Sequence, residues 1–582
     1  MIKNPNITIR RFYPIAIFLC IVLFASMAIA QPLPPSNSQP GSQSTRFEDQ
    51  SKARQDALER KKPKAPQIDI EEEKEEAPKE AGPKFVLNGV KVTGSTLFED
   101  EDFKSAYADY IGKEVAWADV EAIVEKVKDV YKKDGYLTTV VYIPEQDIVG
   151  GEIEIRILEG KVGEVTVEGN KWFSSDLIKK YFHSKKNEIL NIFKMEKDML
   201  RLNQNPDLEV RSVVAPGKEP GMLDVTLKVT EKLPYHAGSA FDNQGTRLVG
   251  KLRTAISGRS SNLSGNNDTL FVNTLWSALS QGNFASYLLP IDTYGTKVGM
   301  DFVVYDSLLG QEYKGFQITG NTQTYTPKVV AEMHLSEKFN ANAEAGMDIK
   351  SIKRWVQGNK SSDDQLRMPY ATLNFSNIDS FAGGGQTSLT SKFVFSTSEF
   401  LGASRHDHGS ASRLGTGGFF FQYMQTIRRI QRMPADSYLS VRAQFMNATD
   451  TLPSSEQIQF GGAYSVRGYP EGDYSADYGA SLNVEWIFPL FFVPKDFKLP
   501  YSETPLCHQF EPVVFMDMGG GKIKKPGPGE RETKFLMGLG GGLKVQINRN
   551  IFLNLYWAER VGDRPSVNQG PSNFHISFQC EI

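Results

Sequence analysis

Strict alternation of apolar and polar residues is the main pattern in the second half of the chain, after Leu233. It is clearest in the last segment, where the residues of the apolar face are Phe574, Ile576, Phe578, Cys580 and Ile582. Similar alternation recurs over 439–445, 481–488 and 551–557. A period of two residues predicts β-strands that have one apolar and one polar face.

A different pattern covers residues 85–233, where short strands alternate with helices of 3.6-residue period. In the helix predicted over 117–136, the apolar residues of one face are Val120, Ile123, Val124, Val127, Val130 and Tyr131. The order strand, helix, helix, strand, strand occurs twice, at 85–160 and at 161–233. The pattern therefore predicts two α+β domains in tandem.

The N-terminus has the features of an export signal. Lys3, Arg10 and Arg11 precede an apolar run, and Ala28-Ile29-Ala30 gives the small-x-small pattern of a cleavage site. Residues 1–30 are therefore predicted to be a signal peptide. An uncleaved anchor is the alternative, although the apolar run is short for a full span. Cleavage leaves two cysteines that an oxidising periplasm could pair, although nothing in the sequence brings them together: Cys507 and Cys580.

Periodicity alone does not say which face of the later strands points inward. In a membrane barrel the apolar face contacts lipid and the polar face lines a wet lumen, whereas a soluble sandwich turns its apolar faces inward. An export signal followed by amphipathic strands favours the barrel. At roughly 22 residues per strand and connection, residues 235–582 predict a transmembrane antiparallel β-barrel of about 16 strands.

A polar helix and a linker are predicted between the signal and the first α+β domain. Residues 45–62 form the helix, with Thr45 and Glu48 in capping-box spacing, and its apolar face is thin. Such a helix packs against water or in a wet channel, or is a solvated helix of no function. Residues 63–84 are rich in Pro and Glu, and they predict an extended linker that lets the helix move.

The net charge, the positions of the histidines and the glycine-rich stretches argue against a nucleic-acid-binding protein, a metal site and a dinucleotide site. The net charge of the 582 residues is −3 and no dense Lys/Arg block appears, which argues against a nucleic-acid surface. His406 and His408 come closest to a metal spacing but are predicted to lie in a polar loop. "GLGGGLK" at 538–544 lacks the third glycine and the following helix of a dinucleotide loop. No enzyme, cofactor, nucleotide or metal site is predicted.

Several segments resemble the two-partner secretion transporters, a haemolysin secretion/activation type within the outer-membrane protein assembly superfamily. "YIPEQDIVGGEIEIRILEGKVGEV" resembles the junction between that family's two polypeptide-transport-associated (POTRA) domains. "LNQNPDLEVRSVVAPGKEPGMLDVTLKV" resembles the end of the second domain, and "FDNQGTRLVGKLRTAISGRSSNLSGNNDTL" resembles the first barrel strands. The resemblance implies POTRA domains at 85–160 and 161–233, followed by the barrel, with 45–62 in the place of the family's plug helix.

Two further stretches resemble the family's lumenal loop and the barrel strand opposite it. They are "SSEQIQFGGAYSVRGYPEGDYSADYGASLNVEW" and "PVVFMDMGGG". The resemblance implies that the loop folds into the lumen and that its arginine, Arg467, meets an acidic group on the wall. By alternation Val514, Met516 and Met518 face lipid, so Asp517 points inward. The predicted site residues are Val466, Arg467, Gly468 and Tyr469 of the loop and Phe515, Asp517 and Gly519 of the wall.

The resemblance implies an outer-membrane transporter, with periplasmic POTRA domains, that exports a large unfolded exoprotein. The implied partners are a client with an N-terminal secretion domain, outer-membrane lipid, periplasmic chaperones and the barrel assembly machinery. One alternative is an assembly factor that inserts other barrels into the membrane. Another is a diffusion porin whose periplasmic domains only bind scaffold. The chain departs from the usual barrel pattern in ending on Ile582 rather than on an aromatic residue.

Overall fold

The structure is a computed structural model. It describes residues 39–59, 67–70, 84–413, 415–500, 502, 504–527, 530–547, 550–566 and 570–582. The predicted signal peptide and most of the predicted linker lie outside these ranges. No helix among the described residues combines the length and the apolar character needed to cross a membrane.

The first element is helix α1, Pro40–Glu59. Our prediction that the helix begins at Thr45 is wrong, because it begins five residues earlier at Pro40, and residues 60–62 lie outside the described ranges. Proline suits the first turn of a helix, where its missing N–H has no partner to lose. Glu48 therefore lies inside the helix, where it pairs with Lys52 at 2.7 Å instead of capping an end.

The first α+β domain is built around one amphipathic helix. Its elements are β2 Phe85–Val86, β3 Gly89–Thr93, α2 Asp100–Tyr107, β4 Glu114–Val115, α3 Trp117–Lys133, β5 Val140–Tyr142 and β6 Glu152–Leu158. The main sheet has the order β3-β6-β5, with β3 parallel to β6. Val120, Ile123, Val127 and Tyr131 of α3 are buried against this sheet, as the helical period predicts.

The second α+β domain has the order strand, helix, helix, strand, strand, which is the order of the first domain apart from the short β2–β4 pair. Its elements are β7 Lys161–Glu168, α4 Ser175–Tyr181, α5 Ile192–Leu202, β8 Leu208–Pro216 and β9 Met222–Glu231. Ser174 caps α4 by accepting a hydrogen bond of 3.2 Å from the Leu177 backbone N–H. The core of this domain includes Met195, Met199 and Val225.

A short strand from the predicted linker joins the second domain. Strand β1, Ile68–Ile70, pairs in parallel with β8, so the sheet has the order β1-β8-β9-β7. Ile68 also packs against the apolar core of the domain. The prediction of a linker without packed structure is therefore wrong at 68–70, because pairing with β8 supplies hydrogen bonds that the local sequence does not reveal.

The remaining chain forms a closed antiparallel barrel, which confirms the predicted 16 strands. In chain order the barrel strands are β10 Tyr235–Asp242, β11 Arg253–Ser260, β12 Thr269–Ser277, β13 Ser280–Pro290, β14 Lys297–Leu308, β15 Ile318–Leu335, β16 Phe339–Val356, β17 Asn359–Asp379, β18 Gly385–Phe395, β19 Phe421–Arg432, β20 Tyr438–Ala448, β23 Tyr478–Ile487, β24 Phe510–Lys522, β25 Thr533–Ile547, β26 Ile551–Arg560 and β27 Ser572–Glu581. Two further strands, β21 Ile458–Phe460 and β22 Tyr474–Ala476, form a hairpin outside the barrel sheet. Cys507 and Cys580 are both free.

The two faces of the barrel wall differ as the alternation predicts. Large apolar residues that are exposed on the outside include Trp276, Phe445, Trp486, Val514 and Phe574. Polar residues that are buried on the inside include Asn273, Asp301, Asp517 and His575. An apolar exterior around a polar lumen is the arrangement of a barrel in lipid.

Buried charges fix the second α+β domain to one end of the barrel. Arg201 Nη2 lies 2.9 Å from Glu332 Oε1 of β15, and Asp207 Oδ2 lies 3.1 Å from Arg259 Nη1 of β11. Burial acts to raise the pKa of Asp207, but the His236 imidazole, the Ser261 hydroxyl and the Arg259 charge outweigh burial and hold that pKa below its usual value. The domain therefore sits at a fixed orientation under the early barrel strands.

The pairing of β1 with β8 predicts a local effect of proline at Asp69. Proline lacks the N–H that a β-ladder uses, so Asp69→Pro should release β1 and expose the free edge of β8. The Ser212 amide, which donates to the Gln67 carbonyl, should exchange its hydrogen faster in this variant. Asp69→Ala keeps its N–H and should leave that exchange unchanged. Equal protection in both variants would contradict the pairing.

Candidate functional site

The lumenal loop, residues 449–477, connects β20 to β23 and folds into the barrel. Its hairpin of β21 and β22 and the residues between them are mostly buried. Phe460, Val466, Tyr469 and Tyr474 join an apolar cluster with wall residues such as Leu366 and Leu536. The loop is therefore held inside the lumen by a small core of its own.

Arg467, in the tip of this loop, meets Asp517 on the inner wall. Arg467 Nε donates to Asp517 Oδ2 at 2.6 Å, and Arg467 Nη2 donates to Asp517 Oδ1 at 2.9 Å. The Arg467 backbone N–H also donates to Asp517 Oδ2, at 3.1 Å. A bidentate pair with a third, backbone bond fixes both the side chain and the main chain of the loop tip.

Two flanking strands complete the charge balance around this pair. Arg467 Nη1 donates to Glu485 Oε1 of β23 at 2.6 Å, and Lys544 Nζ of β25 donates to Glu485 Oε2 at 2.6 Å. Asn483 Nδ2 donates to Asp517 Oδ1 at 2.8 Å. We call Arg467, Asp517, Glu485 and Lys544 the lumenal charge cluster. Its two cations and two carboxylates are neutral together, which makes their burial tolerable.

Aromatic rings cover the guanidinium of Arg467. Its central carbon lies 3.5 Å from the ring centre of Phe515 and 4.9 Å from that of Tyr556. A guanidinium over an aromatic face gains cation–π attraction, and arginine can stack there while it keeps its hydrogen bonds in plane. A lysine at 467 would offer a single point charge and no planar fork, so it would lose the bidentate pair and the stacked contact.

Two glycines allow the loop to approach the wall this closely. Gly468 has a φ of +95°, in the left-handed region that other residues rarely adopt. A Cβ at Gly519 would lie 2.9 Å from Phe460 Cδ1 and 3.2 Å from Val466 Cγ2. Any larger residue at 519 would push the loop off the wall.

Helix α1 lies against the inner face of the barrel and is bound mainly by polar contacts. Arg54 Nη1 donates to Asn273 Oδ1 at 3.0 Å, and Arg253 Nη1 donates to Gln50 Oε1 at 2.7 Å. The main apolar contact is Phe47, which is buried beside Tyr305 in a small cluster. Lys52 of the helix also forms an ion pair with Asp301 of the wall, at 3.4 Å. The attachment therefore consists mainly of polar contacts of a kind that can be exchanged for water.

The helix also touches the lumenal loop directly. Ser42 Oγ donates to the Ser454 carbonyl at 2.7 Å, and Gln459 Nε2 donates to the Ser42 carbonyl at 2.8 Å. The Arg46 guanidinium donates to the Gln459 side-chain oxygen. Movement of the helix would thus remove partners from the hairpin side of the loop, while the lumenal charge cluster would keep its own contacts.

The structure brings the predicted site residues together in one region. Val466 and Tyr469 are fully buried beside the Arg467–Asp517 pair, and Phe515 stacks on Arg467. The prediction missed Glu485, Lys544 and Tyr556 as partners of Arg467. Alternation places Glu485 on the inner face of β23. Its closeness to Lys544 of β25 and Tyr556 of β26 depends on the register of the barrel strands, which alternation does not give.

The histidines singled out in the sequence lie in the loop between β18 and β19. His406 Nδ1 lies 2.8 Å from the Gly417 carbonyl oxygen, and His408 Nδ1 lies 3.1 Å from Ser410 Oγ. Across the described part of the chain, no group of three or more His, Cys, Asp or Glu side chains is arranged to hold a metal ion.

Comparison with protein families shows where the chain belongs. A family described as "Haemolysin secretion/activation protein ShlB/FhaC/HecB" matches residues 221–545, more than half of the chain. The chain belongs to this haemolysin secretion/activation family. A "POTRA domain, ShlB-type" matches residues 85–160, and a POTRA family described as "Surface antigen variable number repeat" matches 160–232.

Two transporters from other bacteria are similar to this chain over most of its length. The heme/hemopexin transporter protein HuxB of Haemophilus influenzae is 24% identical over 518 residues, which cover 85% of this chain and 87% of HuxB. The outer membrane transporter CdiB of Escherichia coli O6:K15:H31 (strain 536 / UPEC) is 24% identical over 506 residues, covering 83% and 82% of the two chains.

Solved structures show the same fold. CdiB from Escherichia coli superposes with a TM-score of 0.72 at 21% identity, covering 96% of this chain and all of that one. CdiB from Acinetobacter baumannii gives a TM-score of 0.65 at 16% identity, covering 95% of this chain. The chain is an outer-membrane transporter of the two-partner secretion type, and its POTRA domains lie in the periplasm.

The geometry of the lumenal charge cluster predicts strong coupling between Arg467 and Asp517. In a double-mutant cycle with Arg467→Ala and Asp517→Ala, the coupling free energy of unfolding should be about 2 kcal/mol or more, because each single variant leaves one uncompensated charge in the lumenal charge cluster. Urea unfolding of the barrel in lipid would measure it. The Arg405–Glu399 pair is exposed and gives the matched control, with coupling near zero. Similar coupling in both pairs would contradict this role.

Proposed function

We propose that this transporter exports one large, unfolded exoprotein with an N-terminal secretion domain from the periplasm to the cell surface. The observation that carries the proposal is the content of the lumen: a helix attached mainly by polar contacts, beside a loop anchored by buried charges. A removable helix beside a fixed loop suits a channel that opens for a client and keeps its shape.

Capture of the client begins at the POTRA domains. In the first domain β5 is an edge strand of the sheet, and its Val140 and Tyr142 are exposed. An extended client segment can add to such an edge through backbone hydrogen bonds, which tolerate variation in client sequence. In the second domain, β1 already covers the edge beside β8. The β5 edge is the proposed first contact because it presents exposed apolar side chains beside its backbone.

Passage follows when helix α1 leaves the lumen. Its contacts with Asn273, Arg253 and Ser454 would be exchanged for water or for the polar backbone of the client. The lumenal charge cluster stays in place and keeps the loop against the wall. Folding of the client outside the cell supplies the drive, so the proposal includes no nucleotide, no cofactor and no enzymatic step.

The remaining partners follow from the location of the barrel. Outer-membrane lipid surrounds the apolar face, and periplasmic chaperones and the barrel assembly machinery deliver and insert the chain. Nucleic acid is not a partner in this proposal. A diffusion porin would conduct steadily with or without helix α1, whereas this account requires the helix to limit the open lumen.

A disulfide between the helix and the loop tests whether the helix must leave. A Cβ at Gly41 would lie 2.9 Å from Ser455 Cβ, so cysteines at both positions need only a small shift to reach disulfide geometry. The client is identified as the protein that disappears from the medium when this gene is deleted. In the double variant G41C/S455C, oxidation should stop export of this client, and reduction should restore it.

The single variants G41C and S455C provide the controls for that disulfide, since neither can form the cross-link. Both should export normally under oxidising and reducing conditions. Normal export by the oxidised double variant, with the cross-link verified on the purified protein, would show that the helix need not move.

A further inference from the structure

One periplasmic connection of the barrel is much longer than its neighbours. Strand β23 runs from the lumenal loop to the end of the barrel that holds the POTRA domains, and residues 488–509 then lead into β24. The turns at 380–384 and 433–437, on the same end, are short. We call residues 488–499 the aromatic turn.

The aromatic turn exposes large apolar side chains. Phe492 is 83% exposed, Phe491 64% and Phe497 50%. Side chains of this size rarely remain together in water on a soluble surface, and a cluster of them marks a contact with a partner or a membrane. The neighbouring Lys495, Asp496 and Lys498 are also exposed, so the turn has charged groups, mostly basic, beside its apolar ones.

The apolar cluster is continuous with the lipid-facing wall of the barrel. Trp486, on the outer face of β23, lies opposite Val514 of β24, and both are exposed to the lipid side. The ring of Trp486 lies 4.8 Å from that of Phe488, which lies 6.1 Å from that of Phe491. The rings thus form one line from the membrane surface of the barrel into the aromatic turn.

Hydrogen bonds hold the turn in a defined shape. The Phe488 backbone N–H donates to the Pro512 carbonyl at 3.0 Å, and the Leu490 N–H donates to the Cys507 carbonyl at 2.9 Å. Lys495 forms an ion pair with Asp436 of the adjacent turn. The exposed phenylalanines are therefore presented by a folded platform beside the barrel rim.

We propose that the aromatic turn is a membrane anchor that inserts Phe491, Phe492 and Phe497 into the periplasmic leaflet of the outer membrane. The line of rings indicates lipid as the partner, because the line begins at Trp486, which faces lipid on the barrel wall. Apolar side chains at the boundary of headgroups and acyl chains, with lysines beside them, are the composition of interfacial anchors. The proposal does not depend on which client is exported.

The position of the anchor suggests what it does. The second POTRA domain contacts the opposite side of the barrel, near Arg259, Thr293 and Glu332. Anchoring the rim at β23 and β24 would hold the barrel at a fixed tilt and depth in the membrane while the POTRA domains on the other side bind the client.

A fluorescent label tests the depth of the turn. The full chain with Phe492→Cys and Cys580→Ala is labelled with an environment-sensitive dye and placed in nanodiscs of phosphatidylethanolamine and phosphatidylglycerol, while Cys507 stays buried. A nitroxide on the acyl chain near the headgroup should reduce the dye fluorescence by about two-fold or more, since the anchor places the dye among acyl chains.

The control is Val149→Cys in the same background, because Val149 is 78% exposed on the first POTRA domain. Its dye should not be quenched by the nitroxide lipid. Phe497→Cys provides a second reporter in case the label at 492 disturbs the turn, and heat-modifiable migration verifies a folded barrel. The anchor would be overturned if the nitroxide lipid failed to quench the dyes at 492 and 497, as at 149, and aqueous iodide quenched them. That result would indicate a surface open to a periplasmic protein.

Discussion

The internal organisation of this transporter depends on one buried cation. Arg467 enters the lumen on a loop and is met there by Asp517 and Glu485, while Lys544 balances the second carboxylate. Removing any one member leaves an uncompensated charge at or beside the buried Arg467–Asp517 pair, which is costlier than losing an exposed pair. The loop therefore has one strongly preferred position, and the hairpin that contacts helix α1 is positioned by it.

The loop and the helix are attached to the barrel in different ways, and the proposed function depends on that contrast. The loop tip is fixed by charge-assisted bonds, a stacked aromatic ring and a small apolar core. The helix has Phe47 as its main apolar anchor and is otherwise bound through amides, hydroxyls and ions. Because polar contacts can be exchanged for water at little net cost, the helix is the element that we propose leaves the lumen.

Alternation along the chain was enough to predict amphipathic strands and an inward-facing Asp517, because both depend on a period of two residues. The export signal favoured a barrel over a sandwich, and the number of about 16 strands came from the length of residues 235–582. The partnership of Asp517 with Arg467 came from resemblance to a family, since the residues are far apart in sequence. Glu485, Lys544 and Tyr556 were missed because their meeting depends on the register of β23, β25 and β26. Strand β1 was missed because its pairing comes from β8 and not from its own three residues.

The central claim is that this barrel exports one dedicated client. Comparing the secreted and outer-membrane proteomes of the source bacterium with the gene intact and deleted tests it most directly. The account predicts that one large protein disappears from the medium while the other outer-membrane barrels keep their abundance. A broad fall in those barrels, with no single secreted protein lost, would contradict the account and identify an assembly factor instead.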